Sequence, residues 1–279
     1  MTTTPAASEL LGARRITELF RRHGVRPKKS LGQNFVIDPN TIRKVVAVAG
    51  IAPSDDVLEI GAGAGSLTLG LAARARNVVA WEFDRALIPV LNDVLAGLDN
   101  VKVIAGDALR MDLAELSVDK LVGNLPYNIA ATLVIRVLSQ APQIASLTVM
   151  TQLEVGRRLA AAPGDEDYGV SSVMVSAFGT ARVAARVSRK AFFPEPNVDS
   201  VIVTIDRHER SDRVDPQEVF PVIKAAFAQR RKTLRNNLAE MAGSPRRAED
   251  VLVAAGIDPS TRAEQVDLEG FIRIAEALQ

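Results

Sequence analysis

The chain has 279 residues, 47% of them apolar and 24% charged, with a formal net charge of +1. That composition suits a soluble globular protein with one large and one small domain, and excludes fibrous, low-complexity or wholly disordered character. With no cysteine in the chain, disulfides, zinc ribbons, iron–sulfur clusters and cysteine nucleophiles are excluded, and with them pyrimidine C5 methylation through a covalent cysteine adduct.

In chain order, Met1–Leu10 lacks the basic-then-apolar pattern of a signal peptide, and no apolar run approaches the roughly 18 residues of a membrane span. A cytoplasmic location is expected. The start is read as loose, and it is basic: seven Arg and Lys residues (Arg14, Arg15, Arg21, Arg22, Arg26, Lys28, Lys29) stand against Glu9 and Glu18. A helix is predicted over Pro39–Ala49, with Asp38 as N-cap and proline at its first position. Strand and helix then alternate. Asp56–Ile60 reads as a buried strand, Gly61–Gly65 as a glycine turn, Ser66–Ala75 as a helix, Val78–Glu82 as a strand and Arg85–Leu95 as a helix. Val101–Ala105, Lys120–Gly123 and Leu147–Thr151 read as further strands, with a helix over Ala130–Leu138. Such alternation predicts an α/β fold with a mostly parallel sheet covered on both faces. Val198–Ile205 alternates like an antiparallel edge strand. His208–Asp215 is polar, and helices are predicted over Pro216–Ala228, Lys232–Met241, Arg246–Ala255 and Leu268–Leu278, with Gly243 and Gly256 as stops. Two domains are expected, 1–207 and an all-helical 208–279.

The most informative residues are Asn124-Leu125-Pro126-Tyr127, at the end of the Lys120–Gly123 strand. An exocyclic nucleobase amine is a poor nucleophile because its lone pair is delocalised into the ring. The Asn124 carboxamide oxygen and the Leu125 carbonyl are acceptors able to draw its hydrogens out of plane. Pro126 stiffens the turn, and Tyr127 offers a face for an extruded base. The same four residues also suit a strand-to-helix turn around a buried tyrosine. Glu59-Ile60-Gly61-Ala62-Gly63 places glycines where the backbone turns and approaches a ligand. Against a dinucleotide stand the acidic Glu59 before the turn, Ser66 at the third glycine position of the dinucleotide fingerprint, and acids ending the next two strands. Glu82 is placed for ribose hydroxyls and Asp107 for an adenine amine; either acid is equally a helix or turn cap. Both fit S-adenosylmethionine, a cation with no phosphate. The basic start and a second cluster, Arg230, Arg231, Lys232 and Arg235, beside a base-handling motif favour a nucleic-acid backbone as partner, although charge runs are commonly solvated faces.

Taken together, Gly32-Gln33-Asn34-Phe35, the glycine turn, Asn124–Tyr127, the Phe192–Ser200 segment and Arg230–Leu238 resemble the small-subunit ribosomal RNA adenine dimethyltransferases over about Lys28 to Leu238. The resemblance implies a Rossmann-like class I S-adenosylmethionine-dependent methyltransferase domain with a small helical C-terminal domain. It implies cofactor contacts from Asn34, Val36, Gly61, Gly63, Glu82, Asp107 and Asn124, and a catalytic group of Asn124, Leu125, Pro126, Tyr127 and Phe192. Phe192 would stack on the target adenine opposite Tyr127; its alternative is core packing beside Phe193. Val36 stands where the family usually has leucine, and Leu153 where it often has lysine. The implied reaction is N6,N6-dimethylation of two adjacent adenines in the 3′-terminal hairpin loop of 16S rRNA, in the small ribosomal subunit or its precursor. It needs no metal, and a monomer suffices. Competing readings are a macrolide-resistance methyltransferase acting on 23S rRNA, a DNA adenine methyltransferase, an assembly factor valued for binding, and, from the glycine turn alone, a nicotinamide oxidoreductase.

Overall fold

The structure is a computed structural model that describes residues 10–208 and 214–279. The first nine residues, and with them most of the segment read against a signal peptide, lie outside the described residues. So does most of the polar stretch His208–Asp215.

In chain order the elements begin with α1 (Ala13–Arg22), β1 (Phe35–Val36), α2 (Pro39–Ala49), β2 (Asp56–Ile60), α3 (Ser66–Ala72), β3 (Asn77–Glu82), α4 (Ile88–Val94) and β4 (Val101–Ala105). They continue with β5 (Lys120–Asn124), α5 (Ala130–Gln140), β6 (Ser146–Gln152), α6 (Leu153–Ala160), α7 (Val170–Ser176), β7 (Gly179–Val187), β8 (Phe192–Phe193) and β9 (Ser200–Arg207). Four helices close the chain: α8 (Pro216–Ala226), α9 (Leu234–Ala242), α10 (Pro245–Ala254) and α11 (Leu268–Leu278).

A seven-stranded sheet runs in the order β4-β3-β2-β5-β6-β9-β7. β4, β3, β2, β5 and β6 pair in parallel. β9 runs antiparallel to β6, with Leu147 opposite Ile205 and Val149 opposite Val203. The central strands are near-continuous apolar runs because both sheet faces are covered; Val57, Leu58, Val122, Leu147 and Val149 are at most 1% exposed. Strand order reverses between β2 and β5, and in open α/β sheets ligands bind beyond the carboxyl ends of the strands at such a switch point. α2 starts as its sequence dictates: the Asp38 carboxylate accepts from the Asn40 and Thr41 amides, a cap worth about 1 kcal/mol.

Two expectations need correction. β9 is an interior strand: Ser200–Ile205 is buried throughout, and β7 lies beyond it at the sheet edge. β7 escapes sequence reading because Arg182 and Arg186 are interspersed with alanines, leaving no apolar run. The basic start is also not loose over Ala13–Arg22, because Ile16, Leu19 and Phe20 form an i, i+3, i+4 stripe buried with Leu11, Phe35, Leu87 and Leu91.

The described residues divide into two compact units: those up to Gly156 with Arg182–Asp206, and Arg157–Ala181 with Arg207–Gln279. Arg157–Ala181 carries aromatics of the helical unit. Tyr168 meets Phe227 edge-on, donates from its hydroxyl to the Val266 carbonyl at 2.9 Å, and Phe227 in turn packs on the fully buried Phe271. Among the described residues no helix is long and apolar enough to cross a membrane.

Candidate active site

The carboxyl ends of β2, β3, β4 and β5 open into a cavity of about 290 Å³, roofed by the segment from Ser30 to Val36. Its size is at the small end of the usual range for ligand pockets. Gly61 (φ +80°) and Gly63 (φ +59°) take backbone angles that side chains rarely adopt. A Cβ on Gly61 would lie 3.2 Å from the Asn124 carbonyl oxygen, and one on Gly63 would lie 3.1 Å from the Phe35 ring. The turn is thus tucked between the β5 end and the N-terminal segment.

Asn34, Val36, Gly61, Gly63, Glu82, Asp107, Asn124, Leu125, Pro126 and Tyr127 all line this cavity. Phe192 does not. It is 2% exposed, opposite Val36 in the β1–β8 pair and packed with Ile42, Met150 and Ile202, whereas Phe193 is 40% exposed. The structure places Phe192 in core packing, the alternative named for it, because strand alternation sends its side chain inward and that of Phe193 outward.

The Asn124 amide nitrogen donates to the Asn34 carbonyl at 2.8 Å. A carbonyl only accepts, so this bond fixes the carboxamide and leaves its oxygen, toward which no donor is directed among the described residues. Leu125 donates its amide to the Met150 carbonyl at 3.0 Å, anchoring the start of the turn to β6. The Tyr127 hydroxyl bonds the Ser200 hydroxyl at 3.1 Å, and burial raises its pKa against that bond.

Glu82 is 6% exposed and accepts the Gly63 amide at 2.8 Å and the Asp84 amide at 2.7 Å. Burial outweighs these bonds and raises its pKa. Asp107 accepts the Leu109 amide at 2.9 Å, so one oxygen serves a turn while the residue also faces the cavity. Asp84 accepts from the Lys28 ammonium at 2.8 Å and the Gln33 amide at 2.9 Å, tying the roof segment to the β3 end. Burial opposes ionisation of Asp84, yet the bonds from Lys28, Gln33 and the Ala86 amide prevail and hold its pKa below the ordinary value.

Sequence reasoning missed Phe83 and Trp81 at this site, and named Glu59 and Ser66 only as features of the glycine turn. Phe83 is 56% exposed on the cavity wall between Glu82 and the Asp84 latch, and an exposed aromatic at a cavity mouth is a surface for a planar ring. Trp81 and Ser66 line the cavity with Nε1 and Oγ unpartnered. Glu59 is fully buried, and neither carboxyl oxygen has a hydrogen-bond partner. Burial pushes its pKa up to about 8; the Thr68 hydroxyl, near but making no hydrogen bond to it, opposes this, and Glu82 adds to it. The only signal for Phe83 and Trp81 in sequence was their position beside the β3 end.

The lining holds three carboxyl groups, Glu59, Glu82 and Asp107, and no lysine or arginine. Such a cavity suits a cation carrying hydroxyl and amine donors and is unsuited to a pyrophosphate. Among the described residues no group of three or more His, Cys, Asp or Glu is arranged to hold a metal.

The profile of the ribosomal RNA adenine dimethylase family matches residues 24–279. A ribosomal RNA small subunit methyltransferase A of Paenarthrobacter aurescens is 45% identical over 278 residues, 98% of this chain and 95% of that one. Among solved structures, a dimethyladenosine transferase from Plasmodium falciparum superposes with a TM-score of 0.74 at 26% identity, covering 85% of this chain and 94% of that one. The 23S rRNA methyltransferase ErmE superposes with a TM-score of 0.66 at 29% identity, covering 88% and 99%.

Proposed function

This chain belongs to the ribosomal RNA adenine dimethylase family, and on that premise we propose that it dimethylates N6 of two adjacent adenines in the 3′-terminal hairpin loop of 16S rRNA. It is an S-adenosylmethionine-dependent rRNA adenine dimethyltransferase with a class I methyltransferase fold. The choice of small-subunit RNA follows the small-subunit methyltransferase relatives, about 45% identical along nearly the whole chain, against 29% for the 23S enzyme. The substrate is the small subunit or its precursor, and the enzyme acts as a cytoplasmic monomer with a role in subunit biogenesis.

The cavity fits the methyl donor: carboxylates for its cationic and hydroxyl groups, glycines that let backbone approach, and no cation where a phosphate would sit. S-adenosylmethionine supplies a methyl group on a sulfonium. Every other contribution comes from the chain. In the proposed assignment Glu82 takes the ribose hydroxyls, Asp107 the adenine amine, and Gly61 and Gly63 the close backbone contacts. Asn34 and Val36 close the roof, and Phe83 lies against the adenine ring. Asn124 Oδ1 and the Leu125 carbonyl accept from the target amine, which pulls its lone pair out of conjugation. Pro126 holds that turn, and Tyr127 stacks on the flipped base. The reading is carried by the Asn124–Asn34 bond, which commits the amide nitrogen and leaves the oxygen as the acceptor.

Asn124→Ala is expected to lower methyl transfer by on the order of 10²- to 10³-fold, as for loss of one preorganised electrostatic contact. RNA affinity should change only a few-fold, measured on the same preparation by filter binding. Near-normal turnover in the variant would remove Asn124 from the catalytic role.

A further inference from the structure

Glu59 combines four observations that the reaction as described leaves unused. It lines the cavity, it is fully buried, both of its carboxyl oxygens lack partners, and no counter-charge faces it. On α3, which packs against α2 and β3, Ser66–Ala72 contains no charged residue; its hydroxyls Ser66 Oγ and Thr68 Oγ1 make no hydrogen bond, although Thr68 lies near enough to Glu59 to favour its charged form. On β3 the nearest ionisable group is Glu82, a like charge. On β5 the Lys120 ammonium is at the far strand end, bound to Asp55 and the Gly50 carbonyl. On α2, Arg43 and Lys44 are exposed, with Arg43 on Asn40. Within β2, Asp56 is spoken for by Arg76 and Asn77. A carboxylate without hydrogen bonds or a cation in such surroundings holds its proton.

We propose that Glu59 is protonated while the cavity is empty and gives its proton to solvent when the cationic methyl donor binds, so that cofactor capture is coupled to proton release. This rests on the cofactor reading above and deepens it. The arriving ligand brings a positive charge into a cavity whose lining contains carboxyls and no base. Its charge is the partner Glu59 lacks, and the proton is the only mobile charge the site can expel. The balance is simple: Glu59 passes from carboxylic acid to carboxylate, the O–H bond breaks, and buffer takes up the proton. By linkage, affinity is weakened by protons. It should rise with pH until Glu59 is ionised in the free protein and level off above that.

The test is isothermal titration of S-adenosylmethionine into the full-length protein between about pH 6 and 9, each pH in two buffers of different ionisation enthalpy. Because the ligand's own α-ammonium titrates near pH 8, the readout is the difference between wild type and Glu59→Gln. Glutamine matches the protonated acid in shape. At about pH 7 wild type should release close to one more proton per cofactor than Glu59→Gln. Its affinity should fall by up to about tenfold more than the variant's from pH 7 to 6. In the wild type alone, infrared difference spectra should show loss of a protonated-carboxyl band on cofactor addition, which keeps the test open if the variant fails to fold. Equal proton release in the two proteins, or no loss of that band, would overturn this inference alone. Failure of wild type to bind the cofactor at any pH would overturn the cofactor reading, and this one with it.

Discussion

At Asn124 the direction of one hydrogen bond decides which end of a carboxamide meets the substrate. The Asn34 carbonyl can only accept, so the nitrogen is committed and the oxygen is presented. This links the roof segment to the catalytic edge: displacing Asn34 would free Asn124 to rotate. Phe192 teaches the opposite lesson. Two adjacent phenylalanines in a strand must face opposite ways, and a motif match alone cannot say which is inside. Phe192→Ala should destabilise the protein by about 3–5 kcal/mol, as for other buried aromatic truncations, read as a shift in chemical denaturation. A Phe192→Ala protein with unchanged stability and lost turnover would restore the stacking role. The places of Asn124, Glu82 and Asp107 on this cavity were legible in sequence because Asn124 and Glu82 close strands, Asp107 follows one by two residues, and strand ends of parallel sheets converge. Glu59 was visible only as an acid before a glycine turn, since its isolation depends on what packs around it.

At the scale of elements, the roof over the cavity is held by few bonds. Lys28 and Gln33 both reach Asp84, whose own amide holds Glu82. Asp84→Asn loses the charge that Lys28 pairs with and one acceptor. It should weaken cofactor binding roughly tenfold, the size of a hydrogen bond to a charged group, with kcat little changed. An equal fall in kcat at unchanged affinity would contradict a latch. The sign of the pH effect follows from the lowered pKa of Asp84. The latch is complete above the ordinary carboxylate value of 3.8 and is lost as pH falls through the lower folded value. The parallel strands were read from sequence almost residue for residue, since buried runs between turns are unambiguous. α1 and β7 were not, because basic side chains conceal a narrow buried stripe in one and interrupt the apolar pattern of the other.

Over the whole molecule, a net charge of +1 hides an uneven distribution. Near the start, Arg15, Arg22 and Lys28 are partnered by Glu18, Asp93 and Asp84, while Arg14, Arg21 and Arg26 are exposed. In the helical unit Arg230 reaches the Glu166 carbonyl and Arg235 pairs with Glu249, whereas Arg231 and Lys232 are exposed. Replacing Arg231 and Lys232 together with alanine should weaken RNA binding and flatten its salt dependence by up to about two counterions. An unchanged slope would remove them from the RNA contact. The helical unit's extent was only partly legible. Its C-terminal helices announce themselves, but the contribution of Arg157–Ala181 rests on Tyr168 and Phe178, whose partners lie far along the chain.

The most direct test of the account is transfer of labelled methyl groups from S-adenosylmethionine to small ribosomal subunits that lack the modification, followed by mapping of the acceptor nucleotides. Two adjacent N6,N6-dimethyladenosines in the 3′-terminal hairpin loop are predicted, and their rate of formation should fall by on the order of 10²- to 10³-fold in Asn124→Ala. Label appearing on 23S rRNA instead, or no transfer from a protein that binds the cofactor, would contradict it.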